Sequence, residues 1–181
     1  IGSALGVVGT SVAAKALGIH ATYLVKKDDE KLSRFEQVAE LGEQAVALLP
    51  KEANSHYRMA FGYGRYGQGL SIAKALKMGL AGKIKTALDA CLKLDPKHAE
   101  AHLASALWHA EIISKVGSTL GGLTYGAKRK LAEEHMKAAL KLAPSMPIVH
   151  AEHAQMLLLL DEDNEQEAAD AFERATEQKA A

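Results

Sequence analysis

The sequence is poor in several residue types that mark particular classes of protein. It has a single cysteine, Cys91, which excludes an intrachain disulfide and a zinc site built on paired cysteines. Aromatic residues make up only 5% of the chain and there are four prolines, whereas alanine, leucine and lysine are frequent. Because alanine and straight-chain side chains lose little entropy in a helix, this composition favours helical structure.

The chain also lacks an excess of either charge. Lysine plus arginine number 22, and aspartate plus glutamate number 22. A nucleic-acid-binding protein usually carries a basic surplus that matches its phosphate contacts, so we predict no nucleic-acid partner. The late acidic residues between Asp161 and Glu167 suit a solvated loop followed by the first turn of a helix.

No uninterrupted apolar run is long enough to cross a bilayer, which takes about 20 residues. Residues 1–25 are largely apolar, but Lys15 and His20 interrupt them. We therefore predict no membrane span and assign residues 1–27 to a capping or docking helix. Such a helix would pack on the rest of the chain or on a second chain through small and apolar residues. These are Gly2, Gly6, Gly9 and Ala13, and Leu5, Val8, Val12 and Leu17.

The sequence leaves the compartment open. The chain begins at Ile1 rather than at methionine, so an upstream signal peptide or anchor stays an alternative. Cytoplasmic and periplasmic or envelope locations are both compatible with the residues present.

An internal repeat organises the remainder of the chain. Pro50, Pro96 and Pro144 are spaced by 46 and 48 residues. Aligning on these prolines brings further positions into register: Leu48, Leu94 and Leu142; Val46, Leu92 and Leu140; Ala45, Cys91 and Ala139; His56, His102 and His150; Ala60, Ala106 and Ala154. Self-similarity at a fixed period is typical of stacked helical units.

Each unit is predicted to be a helix, a turn and a second helix. Apolar residues before each proline fall at helical spacing and should form one buried stripe. Proline ends the helix before it but is tolerated at the start of the next one. The expected helices cover residues 3–26, 29–49, 52–66, 71–93, 97–116, 127–142, 146–160 and 165–179. The glycines between 62 and 69 and between 117 and 126 are expected to form joints, with a kink near Gly79 and Gly82.

The spacing of small and large residues resembles the tetratricopeptide repeat family. Its small–large–small pattern, at intervals of four and three residues, occurs in three helices: Ile84, Leu88 and Cys91; Ala132, Met136 and Ala139; Ala168, Phe172 and Ala175. The resemblance covers about residues 38–180. It implies an all-α fold of antiparallel helix-pair repeats, an α-solenoid of about three units over residues 28–181 with the added N-terminal helix.

The sequence departs from that family in two respects. Histidine replaces the aromatic residue expected early in each first helix, and the period exceeds the usual ~34 residues. Two looser resemblances come from long-period relatives. The stretch Ser55 to Trp108, with GKIKTALDACLKLDPKHAEAHLASALW, is similar to the regulator-of-microtubule-dynamics proteins. The stretch YGAKRKLAEEHMKAALKLAP is similar to the T-component of TRAP transporters, a periplasmic helical-repeat protein.

The tetratricopeptide resemblance implies a groove lined by the first helix of each unit. Transferred by register, its positions are Asn54, Tyr57, Phe61 and Arg65; Glu100, Leu103, Leu107 and Glu111; and Ile148, Ala151, Gln155 and Leu158. Because this set is mostly apolar, we expect the groove to hold something apolar. The alternative is that these residues are ordinary core.

The function implied by the resemblance is that of a non-catalytic scaffold. Its partner would be a protein or peptide, such as an amphipathic helix or a second copy of the chain. The alternative is a periplasmic or envelope protein that binds an apolar ligand or assists a transporter, in the manner of the T-component.

Other motifs give little support to catalysis or to a metal. His98 and His102, and His150 and His153, have helical spacing that suits a metal pair. However, His56, His102 and His150 share one repeat position, which favours a structural role. Cys91 aligns with Ala45 and Ala139, and neither glycine cluster has the lysine and serine of a phosphate loop. We predict no catalytic residue, no metal site and no cofactor.

Overall fold

The computed structural model describes residues 7–177, apart from the side chains of Val7, Val8 and Glu162. Gly2, Leu5 and Gly6 of the predicted N-terminal helix lie outside this range. Within it every regular element is a helix, which confirms the all-α prediction. The helices are α1 (Val7–Tyr23), α2 (Asp28–Leu48), α3 (Ala53–Gln68), α4 (Ile72–Lys77), α5 (Leu80–Leu94), α6 (Ala99–Val116), α7 (Ser118–Tyr125), α8 (Arg129–Leu142), α9 (Pro147–Leu160) and α10 (Glu165–Glu177), with a 3₁₀ turn (Glu162–Asn164) before α10.

The chain divides into two compact units, Ile1–Pro96 and Lys97–Ala181. In the first unit α2 packs against both α1 and α3, and α3 packs against α5. Its core contains Ala21, Phe35, Ala39, Tyr63, Tyr66 and Leu80. Helix α1 approaches α3 closely, because a Cβ atom placed on Gly18 would lie 2.9 Å from Phe61 Cε1.

Two glycines let the backbones of α2 and α3 touch. A Cβ atom on Gly62 would lie 2.4 Å from the backbone nitrogen of Ala39, and one on Gly42 would lie 2.5 Å from Met59 Cα. The expectation that Gly62 begins a joint between helices is therefore wrong. Helix α3 continues to Gln68, and the missing side chain of Gly62 serves close helix packing.

The predicted helix over residues 71–93 is in fact two helices. Gly79 adopts a left-handed conformation with φ 64°, which a residue without a Cβ atom reaches at little cost. Helix α4 ends at Lys77 and α5 begins at Leu80, so the interruption expected near Gly79 and Gly82 falls at Gly79, and Gly82 lies within α5.

In the second unit, α6 packs against α7, α8 and α9, and α10 packs against α9. The main core contains Leu103, Ala106, Ala110, Ala132, Met136, Ala139, Ala143, Val149 and Met156. Arg129 at the start of α8 donates a hydrogen bond to the carbonyl oxygen of Leu160 and lies 3.8 Å from the Asp161 carboxylate. The glycine-rich stretch 117–126, expected to be a joint, forms α7 between Gly117 and Gly126, both of which have positive φ.

Burial follows the repeat register at most positions. Ala45, Cys91 and Ala139 are fully buried, and the aligned alanines Ala60, Ala106 and Ala154 are also buried. The outer positions Leu48, Leu94 and Leu142 are exposed, so the expectation that they belong to a buried stripe is wrong. Each of them is the last residue of its helix.

The repeated histidine has a structural role in two of the units. His56 Nε2 lies 2.8 Å from the carbonyl oxygen of Pro50, and His150 Nε2 lies 2.7 Å from that of Pro144. The side chain thus holds each new helix to the proline-marked turn before it. None of the described helices is long and apolar enough to span a membrane.

Candidate partner-binding groove

An open groove of about 930 Å³ lies in the second unit between α9 and α10. Its α9 wall is built on the face that carries Ile148, Ala151, Gln155 and Leu158, which lie three or four residues apart and so share one side of the helix. These are the four positions that the resemblance assigned to the third repeat. The structure brings all four together.

The opposite wall comes from α10, and its most prominent side chain is Phe172. Ala168 and Ala169 of α10 also line the groove, as does Ser114 of α6. Ile148, Leu158 and Phe172 are exposed, with Phe172 leaving 58% of its surface open to solvent. Contiguous exposed apolar side chains of this kind mark binding surfaces more often than plain protein surface.

The charges that line the groove are acidic. Glu152 is buried on the α9 side, and Glu165 is exposed at the start of α10. The residues that line the groove include no lysine or arginine. The groove therefore combines an apolar surface with negative charge near its walls.

The predicted positions on α6 do not line this groove. Leu103 is buried in the core of the second unit, and Leu107 packs against that core. Glu111 forms an ion pair of 2.9 Å with Lys115, and Glu100 lies 3.4 Å from His98. In α6, Leu103 and Leu107 thus belong to the core, whereas Glu111 forms an ion pair within the helix.

The predicted positions on α3 lie in the first unit and form an aromatic row. The rings of Tyr57 and Phe61 are 6.3 Å apart, and the Arg65 guanidinium lies 5.8 Å from the centre of the Phe61 ring. Asn54 is exposed at the start of the helix and bonds Glu52. Because Gly18 of α1 sits on Phe61, this row is partly covered by the chain's own first helix.

The α9–α10 groove corresponds to a surface of the preceding helix pair, α6 and α8. In that pair the surface is covered by α9. In α8, Met136 is the large residue of the small–large–small pattern. It is 1% exposed and shares a core with Val149 and Met156 of α9. In α10 the same position is Phe172, and no helix follows α10 among the described residues.

The first helices of the two pairs show the same relationship. Leu103, Ala106 and Ala110 of α6 belong to the core that α9 completes. The positions 48 residues later are Ala151, Ala154 and Leu158, and all three line the groove. The groove is therefore the surface that would receive a helix related to α9.

Sequence reasoning missed the α10 half of this groove, namely Ala168, Ala169 and Phe172. The small–large–small pattern places Ala168 and Phe172 on one face of α10, but the resemblance assigned the groove to first helices only and so did not include α10.

The histidines that suggested a metal pair have separate contacts. His98 Nδ1 accepts a hydrogen bond of 3.2 Å from the backbone N–H of Ala101 and caps α6. His102 Nδ1 lies 2.9 Å from His135 Nδ1. In residues 7–177 no group of three or more histidine, cysteine, aspartate or glutamate side chains is arranged to hold a metal.

A polar cluster in the first unit ties three helices together. The Tyr63 hydroxyl of α3 donates to Glu43 of α2 and lies 3.1 Å from Lys83 Nζ of α5. Burial raises the pKa of Tyr63, and the neighbouring Glu43 carboxylate raises it further. The hydrogen bond with Tyr63 raises the pKa of Lys83. Both groups thus keep their protons, and the cluster acts as a structural tie.

Known proteins do not add a family to this picture. No protein-family model matches the chain, and no curated protein matches it significantly. The fold and the groove define an all-helical protein with an open apolar cleft, and the functional interpretation depends on that geometry.

Proposed function

We propose that this protein is a non-catalytic scaffold of the tetratricopeptide-like helical-repeat class, and that it binds an amphipathic helix of a protein partner in the α9–α10 groove. The observation that carries the proposal is the relationship between Met136 and Phe172. Met136 lies under α9, whereas Phe172 occupies the matching position and is exposed. A surface whose counterpart is covered by a helix is shaped to accept a helix.

The charges of the groove indicate the chemistry of the partner. The exposed Glu165 favours a helix that carries lysine or arginine beside its apolar residues. Its apolar side chains should recur every three or four residues, because Ala151, Leu158 and Phe172 present a continuous surface along the groove.

A non-catalytic role fits the position of the one thiol. Cys91 is fully buried, and its register partners Ala45 and Ala139 are buried equally. A nucleophilic cysteine needs access to its substrate and a base that activates it. The burial of Cys91 supports a packing role.

The proposal is tested by placing a photo-crosslinking phenylalanine analogue at position 172 in cells that express the chain. We expect adducts with a peptide segment that has apolar residues at helical spacing and adjacent basic residues. Leu158→Glu should reduce the adduct about tenfold or more, because it puts a carboxylate on the apolar wall.

The matched control places the analogue at Leu123, which is highly exposed on α7 and lies outside the groove. Adducts that are the same at positions 123 and 172, or that are insensitive to Leu158→Glu, would contradict a binding role for the groove.

A second candidate function is the binding of an apolar small molecule, as in an envelope protein that assists a transporter. The groove volume of about 930 Å³ favours it, since ligand sites commonly measure about 300–1,000 Å³. Native mass spectrometry of the purified chain distinguishes the two. A bound lipid that is lost in Leu158→Glu supports the small-molecule function, and a lipid-free chain supports the helix-binding function.

A further inference from the structure

Helix α1 is apolar on two opposite faces. Its inner face, with Ala14, Gly18 and Ala21, is buried in the first unit. Its outer face carries Val12, Ile19 and Tyr23, which are 58%, 50% and 72% exposed. With Ala16 these residues are spaced by four, three and four positions, which places them in one stripe of the kind that packs against another helix. An exposed apolar stripe of this kind is typical of a contact surface.

The outer stripe of α1 has the same residue spacing as the face of α9 that packs on α6 and α8. That α6–α8 surface is the counterpart of the groove in the preceding helix pair. On α9, Val149 and Met156 enter the core formed with α6 and α8, and they are seven residues apart. Val12 and Ile19 are also seven residues apart and are aliphatic. Leu160 packs against the same core four residues after Met156, and Tyr23 follows Ile19 by the same interval.

The charges around the two surfaces are complementary. Lys15 is exposed beside the α1 stripe, and α1 contains no acidic residue. The exposed carboxylate of the groove lining is that of Glu165, and the lining includes no lysine or arginine. Docking α1 into the groove would bring opposite charges together at the edges of an apolar contact.

We propose that the partner of the α9–α10 groove is a second copy of this chain, which docks the outer stripe of α1. The inference rests on the proposed role of the groove as a helix-binding site. Each copy would then offer α1 to one neighbour and its groove to another. Such a head-to-tail contact is heterologous, so it produces rings when it closes and filaments when it does not.

The experiment uses two surface variants of the whole chain and analytical ultracentrifugation. Ile19→Glu removes the docking stripe but keeps the groove, and Leu158→Glu removes the groove but keeps the stripe. The mass of the wild-type chain should rise with concentration over about 1–100 μM, the range expected for a modest interface. Each variant alone should stay monomeric.

The decisive sample is the equimolar mixture of the two variants. One intact stripe and one intact groove remain in the mixture, so it should form a one-to-one dimer and no larger species. Leu123→Glu, which changes an exposed leucine outside both surfaces, should associate like the wild type. Far-ultraviolet circular dichroism checks folding, and Val12→Glu with Phe172→Glu is a second pair that tests the same two surfaces.

The outcomes separate this inference from the proposed function. A wild-type chain that stays monomeric at 100 μM, or a mixture that fails to dimerise, overturns head-to-tail association. If crosslinking at position 172 still captures a basic helix from another protein, the groove keeps its proposed function with a different partner. If Leu158→Glu changes neither crosslinking nor association, both proposals fail.

Discussion

The two helix pairs of the second unit share one pattern of small and large residues, but they differ in whether those residues are buried. In the α6–α8 pair, Met136 and Ala110 are buried in the core that α9 completes. In the α9–α10 pair, the corresponding Phe172 and Leu158 are exposed. The difference shows that a repeat pattern specifies an apolar surface, whereas its burial depends on whether another helix arrives.

The largest change in the free energy of unfolding should come from truncating Met136, the residue that α9 covers. We expect Met136→Ala to lower the free energy of unfolding by about 2–5 kcal/mol, because it leaves a cavity in the core. Phe172→Ala should change it by about 0.5 kcal/mol or less, since this ring is mostly exposed. Urea unfolding followed by circular dichroism measures both. Equal losses would mean that the two positions are not in different states.

The next largest change in stability should occur in the α2–α3 pair of the first unit, where the two helix backbones are in contact. Gly62→Ala should cost about 1–3 kcal/mol, because the new methyl group meets the backbone of Ala39. Gly64→Ala is the matched control on the same helix, because a Cβ atom there has open space. It should stabilise α3 by about 0.5–1 kcal/mol through the helix propensity of alanine. Close packing at Gly62 would be contradicted if thermal unfolding found Gly62→Ala to be as stable as Gly64→Ala or more stable.

A smaller effect should follow loss of the histidine contact with the proline carbonyl. His150→Ala should destabilise the chain by about 1–2 kcal/mol, since the side chain is buried and its hydrogen bond is lost. His56→Ala removes the equivalent contact at a more exposed position and should cost about 0.5–1 kcal/mol. Chemical denaturation compares the two variants. If neither loses stability, the structural role inferred for this repeat position is wrong.

The smallest effect should be a dependence on pH that is specific to the α9–α10 pair. Burial lowers the pKa of His153, and Arg174 and His150 lower it further, against the opposing charge of Glu167. The folded chain therefore binds this proton less well than the unfolded chain, whose histidine pKa is about 6.5. Stability should be fully present above that value and should fall as the pH drops through it toward the lowered folded pKa.

The control for this pH dependence comes from the other helix pair. Ser105 holds the position on α6 that corresponds to His153, so His153→Ser gives α9 the residue of its counterpart. Urea midpoints at about pH 7.5 and pH 5.5 should differ less for this variant than for the wild type. An unchanged difference would assign the pH dependence to other groups.

Much of the helical arrangement could be predicted from the proline register. Prolines end helices and small residues mark close contacts, so the buried set Ala45, Cys91 and Ala139 could be recognised from the sequence. The register also selected the α9 positions that the structure gathers in one groove. The register could not show that α9 positions such as Leu158 are exposed whereas Leu103 is buried. Period and polarity identify an apolar face but not what covers it.

The errors have a common physical origin in glycine. At Gly62 the absence of a side chain permits close helix packing, whereas at Gly79 it permits a left-handed backbone. Both uses look the same in a sequence. The helix α7 was missed for this reason, since its glycines at 121 and 122 suggested a loop.

The connections within the helix pairs differ greatly in length although the pairs are alike. Residues 117–128, including α7, join α6 to α8, whereas residues 161–164 join α9 to α10. Gly117 and Gly126 bound α7 with positive φ values, so the chain turns sharply at both ends of this segment. The extra length of the α6–α8 connection therefore lies in α7 and the glycines that bound it. An engineer who needs a site for a fluorophore can attach it at Leu123, which α7 exposes to solvent, and leave the packing of the helix pair in place.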